Sequence, residues 1–276
     1  MSLEPPSSKM IAMTFRQKRM LIEARKNAVV SEDLEWSESY SFQDHDNFDD
    51  AIKCIDSIGN NLKIAKVGSI LYSACGAKIL EHLSKKSIKI FLDLKYHDIP
   101  NTVAGSIRAV LQHAPIELLT IHASGGAEMI RAAKNAILES KSNSKTKLLC
   151  VTILTSLDED NLKQIGYAKN PQDMVLQLAK LAHESGTDGI VCSSNELDAI
   201  RKKLSKDLIT VIPGIRPASH ENNFRPDRHP AWSDDQKRVA TPRFAFEHGA
   251  NYIVIGRPIT EAKDPQQVFQ HILQNE

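Results

Sequence analysis

The chain has 276 residues, with 35 Lys and Arg against 34 Asp and Glu, a formal net charge of +1. So even a balance offers no bulk electrostatic basis for binding nucleic acid or a membrane surface, and an acidic small molecule must be met by locally placed cations. The four cysteines (Cys54, Cys75, Cys150, Cys192) form no CxxC pair, which argues against a zinc or disulfide framework and for a reducing compartment. No apolar run approaches the roughly 20 residues of a membrane span. The short apolar run 10–15 is followed by charge at 16–19, unlike a signal peptide. The expectation is a soluble, cytoplasmic protein with no nucleic-acid or membrane partner.

In chain order, residues 10–15 offer a first strand and 16–27 read as a basic, solvated helix. Residues 32–50 are acidic with scattered aromatics and no clean period. From about residue 48 the pattern becomes regular. Apolar runs at 62–67, 88–92, 116–121, 147–154, 189–192, 208–212 and 252–255 read as strands. Between and after them, 74–83, 103–112, 127–138, 171–184, 196–204, 242–248 and 265–273 carry helical periodicity. Continuous apolar strands separated by amphipathic helices indicate parallel β-α units with both sheet faces covered. Seven strands are visible, and an eighth, needed to close a barrel, must come from the N-terminal part. The predicted fold is α/β, a single (β/α)8 TIM barrel. Residues 1–47 form an atypical N-terminal segment that includes the first strand, and 48–276 supply the rest of the one domain.

A parallel barrel points every strand's C-terminal end to one rim, where active sites assemble. The strand ends here are rich in functional residue types: Lys66-Val67-Gly68, the segment Asp93 to Thr102, His122 to Gly126, Thr155-Ser156, Pro213 to Pro217, and Gly256-Arg257-Pro258. Any one could be a cap or a solvated turn, but their joint placement on one rim points to chemistry. Asp93-x-Lys95-x-x-Asp98, with Lys66 from the neighbouring strand, can build an alternating charge array that fixes ionisation states in a site of reduced dielectric. A strand-end salt bridge is the plainer alternative. A metal held by Asp93, His97 and Asp98 is disfavoured by Lys66, since an ammonium has no lone pair to give and repels a cation. Across the rim, Gly214, Arg216, Gly256 and Arg257 suit a phosphate, with backbone N–H groups and a planar guanidinium fork.

These residues resemble a known family. FLDLKYHDIPNTV (91–103) is similar to the signature of the orotidine 5′-monophosphate decarboxylases. The likeness continues, in the family's order, through KVGSILY (66–72), IHASGG (121–126), VTILTS (151–156), GIVCS (189–193), PGIRP (213–217) and YIVIGRPIT (252–260), covering about residues 48–276. The resemblance implies conversion of orotidine monophosphate to uridine monophosphate, with no metal, flavin or pyridoxal cofactor. It implies Lys95 as proton donor to C6 of the pyrimidine and Asp93 and Lys66 as the rest of the array. The partner subunit of a homodimer would supply Asp98 to a shared active site, with Thr102 also reaching the partner's site. Thr155, with Ser156, would contact the pyrimidine, while Arg216, Gln236, Gly256 and Arg257 match phosphate-side positions.

Two departures stand out. Family members open with an apolar strand that ends in a ribose-binding aspartate, whereas Thr14 stands at that place after 10–15. Asp44 has about the right spacing before Lys66, and Asp33, after Ala28-Val29-Val30, is a further candidate; Asp44 is taken as the ribose contact. The second departure is the long segment 218–235 before Gln236, whose place between two phosphate-side residues suggests a lid. Two other functions compete. A magnesium-dependent phosphosugar decarboxylase or aldolase of the same superfamily shares DxKxxD but carries an acidic residue near the position of Lys66. A catalytically impaired nucleotide-binding barrel would keep the site and lose turnover.

Overall fold

Residues 64–67 and 90–93 are apolar-rich runs, and an extended chain sends their successive side chains to opposite faces of a sheet. In the computed structural model, which describes residues 28–31, 47–58, 62–140, 143–216, 238–260, 262 and 264–275, these stretches are adjacent strands of a closed parallel barrel. Its strands are β1 (Ala28–Ser31), β2 (Ile64–Gly68), β3 (Lys89–Tyr96), β4 (Leu118–His122), β5 (Lys147–Val151), β6 (Gly189–Val191), β7 (Ile209–Ile212) and β8 (Tyr252–Ile255), paired in chain order with β8 returning to β1. The α-helices among the described residues are α1 (Asn47–Ile58), α2 (Ser69–Cys75), α3 (Lys78–Lys85), α4 (Pro100–Val110), α5 (Gly126–Glu139), α6 (Glu159–Gln164), α7 (Pro171–Glu184), α8 (Leu197–Lys203), α9 (Pro242–Glu247), α10 (Arg257–Thr260) and α11 (Pro265–Asn275). None of them is long and apolar enough to cross a membrane.

The alternation divides the apolar side chains into two clusters. Ala65, Val67, Ile90, Leu92, Leu119, Ile121, Leu148, Cys150, Ile190 and Ile253 pack against the helices. Ile64, Phe91, Leu118, Leu149, Val151, Val191, Val211 and Val254 fill the barrel interior. Each fully buried Leu, Ile or Phe contributes roughly 1.5–3 kcal/mol relative to exposure, so both faces stabilise the sheet. Two residues beyond Ile64, Phe91 and Leu118 in the same strands come Lys66, Asp93 and Thr120, all buried. Period two therefore places a polar layer directly above the apolar floor, at the C-terminal end of the barrel.

The eighth strand is not where the apolar pattern put it. β1 at Ala28–Ser31 closes the barrel, pairing Val30 with Ala65 and Ser31 with Lys66 on one side and Ala28 to Val30 with Ile253 to Ile255 on the other. This removes the basis for Thr14 as a strand-end residue; residues 10–15, Thr14, Asp33 and Asp44 lie outside the described residues, as do the basic stretch 16–27 and the segment 218–235. Four residues of strand suffice because the closed sheet supplies backbone partners on both edges. The predicted helix 74–83 is two helices, α2 and α3. Between them Gly76 adopts φ +57° and its N–H closes α2 on the Tyr72 carbonyl at 2.7 Å, a conformation glycine accepts without steric cost. α7 has the expected bounds, helped by Pro171 at its first position and Asn170 accepting from the Asp173 N–H.

Candidate active site

β2 and β3 lie side by side with Lys66 opposite Phe91 and Gly68 opposite Asp93. This register brings Lys66 Nζ to 3.3 Å from Asp93 Oδ2, with both side chains almost wholly buried. Lys95, two residues along β3, donates from Nζ to the same oxygen at 2.8 Å and keeps about a third of its side chain exposed at the rim. Asp93 thus stands between two ammonium groups, one sealed in the barrel and one facing the open end.

The backbone at Lys95 is unusual. Its φ is +48°, in the left-handed region that L-residues with a side chain rarely occupy, and the β3–β4 register shifts between Leu92 and Tyr96. Such strain costs on the order of 1–3 kcal/mol and persists only where surrounding bonds over-determine it. The Lys95 N–H donates to Thr120 Oγ1 on β4 at 3.0 Å. The Thr120 hydroxyl in turn donates to Asp93 Oδ1 at 2.8 Å. Burial pushes the Asp93 carboxyl upward, but Lys66, Lys95 and the hydrogen bonds from Lys95 and Thr120 outweigh it and bring it down to about 2. Asp93 is a carboxylate at any ordinary pH.

His122, at the end of β4, stacks loosely on His97 with ring centroids 5.3 Å apart. Burial first, then the proximity of His97 and Lys95, holds its imidazole below the ordinary histidine value. Both influences disfavour the charged form of the ring. Asp98 lies in the loop that follows β3, exposed, its Oδ1 accepting from the Ile99 N–H at 2.6 Å. It pairs with no cation among the described residues, and Thr102, in the first turn of α4, is likewise exposed. Within one chain the structure brings together Lys66, Asp93 and Lys95, and it leaves Asp98 and Thr102 outside that cluster. No three His, Cys, Asp or Glu side chains converge to hold a metal among the described residues.

Across the same rim, Thr155 is buried and Ser156 half-buried after β5. Gly214, φ +71°, follows β7, and Arg216 sits next to the bridge between Ile215 and Ala240. The Arg216 N–H donates to the Ala240 carbonyl at 2.9 Å, tying the two ends of the intervening segment together. Gly256 joins β8 to α10, its carbonyl accepting from the Ile259 N–H at 2.8 Å, and Arg257 is the first residue of that helix. Gln236 lies outside the described residues. Two residues later, Arg238 forms an ion pair with buried Glu196 and donates to the Leu154 carbonyl at 3.1 Å. It therefore spans from the stretch before α9 to the ends of β5 and β6.

Two of these residues, Thr120 and Arg238, were not singled out from the sequence, and His122 only as the polar end of its strand. For Thr120 a signal existed. In Leu118-Leu119-Thr120-Ile121-His122 it is a polar residue inside an apolar run, two positions before the strand-end His122.

The family model for the orotidine 5′-phosphate decarboxylase / HUMPS family matches residues 42–272, so β1 precedes the matched stretch. The orotidine 5′-phosphate decarboxylase of Nitrosococcus oceani is 44% identical over 231 residues, 83% of this chain and 93% of the relative. That of Hydrogenovibrio crunogenus is 44% identical over 75% of this chain and 82% of its own length. Among solved structures, orotidine 5′-phosphate decarboxylase from Lactobacillus acidophilus superposes with a TM-score of 0.72 at 34% identity, covering 91% of this chain and 99% of that one.

Proposed function

Because the chain belongs to the orotidine 5′-phosphate decarboxylase / HUMPS family, we propose that it converts orotidine 5′-monophosphate to uridine 5′-monophosphate, with Lys95 as proton donor. The observation that carries this reading is the buried Lys66–Asp93–Lys95 array at the C-terminal rim. The bond from C6 to the substrate carboxylate breaks, its electron pair stays on C6, and carbon dioxide leaves. No conjugated sink accepts that pair, so a pre-placed ammonium is needed as the charge develops, and the Lys95 ammonium then gives its proton to C6. Asp93 disfavours the neighbouring substrate carboxylate and holds Lys95 in place; Lys66 keeps Asp93 ionised. No metal or organic cofactor enters the scheme.

The remote groups bind the rest of the nucleotide, and their binding energy can be used at the reacting carbon. Arg216, Gln236, Gly256 and Arg257 take the phosphate, Thr155 and Ser156 the pyrimidine. Asp44, which falls within the family-matched residues, takes the ribose. The exposed position of Asp98, away from its own array, supports a homodimer in which the partner subunit's Asp98 completes the site, with Thr102 crossing likewise.

The test follows the loss of orotidine monophosphate absorbance, with and without a chelator, for wild type and Lys95→Ala. General acid catalysis contributes about 100- to 10,000-fold. The expected result is chelator-insensitive turnover that Lys95→Ala reduces at least about 100-fold, with uridine monophosphate affinity held within about threefold. Chelator-sensitive aldol chemistry instead would assign the chain to the magnesium-dependent branch. Tight nucleotide binding without turnover would make it a binding protein, and a Lys95→Ala variant keeping a tenth of its turnover would remove Lys95 from its role.

A further inference from the structure

We propose that Thr120 is a positioning residue for the decarboxylation, its one hydroxyl fixing both the strained backbone of Lys95 and the orientation of the Asp93 carboxylate. The inference rests on the reading of Lys95 as the proton donor.

A hydroxyl has one proton and two lone pairs, and here its partners dictate where they go. The Lys95 N–H can only donate, so Thr120 Oγ1 accepts from it at 3.0 Å. The hydroxyl proton is then directed at Asp93 Oδ1, 2.8 Å away. With Oδ1 accepting from Thr120 and Oδ2 facing both ammonium groups, the carboxylate meets donors at both oxygens. Its plane is fixed, and a proton on either oxygen would confront another donor. Thr120 is fully buried, so water does not compete for these bonds. The low surrounding dielectric also makes them stronger than their exposed counterparts.

The second half of the inference concerns geometry. An ordinary strand would carry Lys95 forward with its N–H bonded to a carbonyl of β4. Instead the register shifts between Leu92 and Tyr96 and φ at Lys95 is +48°. The N–H donates to a side chain at a position where β3 and β4 have no registered pair, and the Lys95 ammonium turns back to Asp93 within its own strand. Without the Thr120 oxygen that N–H loses its acceptor at 3.0 Å, and the strand can relax toward regular pairing with the ammonium displaced. A shift of about 1 Å in a reacting group can cost on the order of 100-fold in rate.

Thr120→Val keeps the shape and removes both bonds; Thr120→Ser keeps the hydroxyl and loses a methyl. The measurements are kcat and KM on orotidine monophosphate, uridine monophosphate affinity, and thermal unfolding. For T120V, kcat is expected to fall about 10- to 100-fold while uridine monophosphate affinity changes less than about threefold. T120S is expected to stay within about threefold of wild type in kcat. A merely structural role would lower the melting temperature of both variants and leave the kcat of the folded fraction unchanged, which overturns the proposal. So does a T120V variant keeping half of its kcat, or a T120S variant that loses as much as T120V. If T120V does not fold, T120S decides alone: a loss of more than about tenfold counts against the hydroxyl. Should the wild type fail to decarboxylate, or Lys95→Ala remain active, the underlying reading has failed and this one falls with it. An active wild type, an inactive Lys95→Ala and an unaffected T120V sink the Thr120 role alone.

Discussion

Asp93 is a carboxylate in a place where burial by itself would neutralise it. The two ammonium groups and the Thr120 hydroxyl reverse that tendency and hold its carboxyl at about 2, below the ordinary 3.8. Linkage turns this difference into a dependence of stability on pH. A depressed folded-state value means the stabilisation is complete above about pH 4 and is lost as the pH falls toward 2, because the unfolded chain takes up the proton first. Nearly two pH units correspond to about 2 kcal/mol. Urea unfolding of wild type and Asp93→Asn, from about pH 5 downward, isolates this contribution. The gap between the two is expected to shrink by about 2 kcal/mol as the pH approaches 2. A gap that stays constant would show that Asp93 titrates alike in both states, and that Lys66 and Lys95 do not hold it.

Among the elements, the connection after β6 depends on the split use of one carboxylate. Ser193-Ser194-Asn195-Glu196 is a capping box: Glu196 Oε2 accepts from the Ser193 N–H at 2.8 Å and from its hydroxyl at 2.6 Å. The other oxygen, Oε1, receives Arg238, which also donates to the Leu154 carbonyl. A cap that could have been wholly local thus anchors a residue forty-two positions away, and with it the return of the chain to α9. Removing one partner of a buried pair leaves the other charge uncompensated, at a cost of about 3–5 kcal/mol, whereas removing both charges costs less. Arg238→Ala is therefore expected to lose about that much stability in chemical denaturation, and the double variant with Glu196→Gln to recover part of it. Additive losses would mean that the pair is solvated and its coupling negligible.

At the scale of the whole molecule, one barrel carries the array but not every group assigned to it. Asp98 is exposed beyond the rim and the array in its own chain is built without it. A closed two-fold dimer places the same patch of each subunit against the other, so two equivalent composite sites follow from one contact. Mixing Lys95→Ala with Asp98→Ala under subunit exchange separates the alternatives. If the partner's Asp98 completes the site, one site of the heterodimer carries both lesions and the other carries neither. With equal amounts, about half of the dimers are mixed and each has one intact site, so about a quarter of wild-type activity should return. If Asp98 serves its own subunit, every site keeps a lesion and nothing returns once exchange is verified by an independent label.

Much of this was written locally along the chain. The order of β and α units and the crowding of Lys66, Asp93, Lys95, Arg216 and Arg257 at strand ends follow from apolar runs, helical periodicity and strand length, which are properties of neighbouring residues. The family signature sits in the same local windows. What the tertiary structure alone decided is how distant windows meet. β1 at Ala28–Ser31 was indistinct because a four-residue strand gains its definition from β2 and β8, not from its own pattern. Thr120 reads as one polar residue in an apolar strand until the β3–β4 register sets its hydroxyl between Asp93 and the Lys95 N–H. The same register allows Lys95 its positive φ, a strain no sequence window announces. Register and closure are fixed by backbone pairing and packing summed over the whole barrel, so the groups of the array were legible in the sequence while the bonds that aim them came only with the fold.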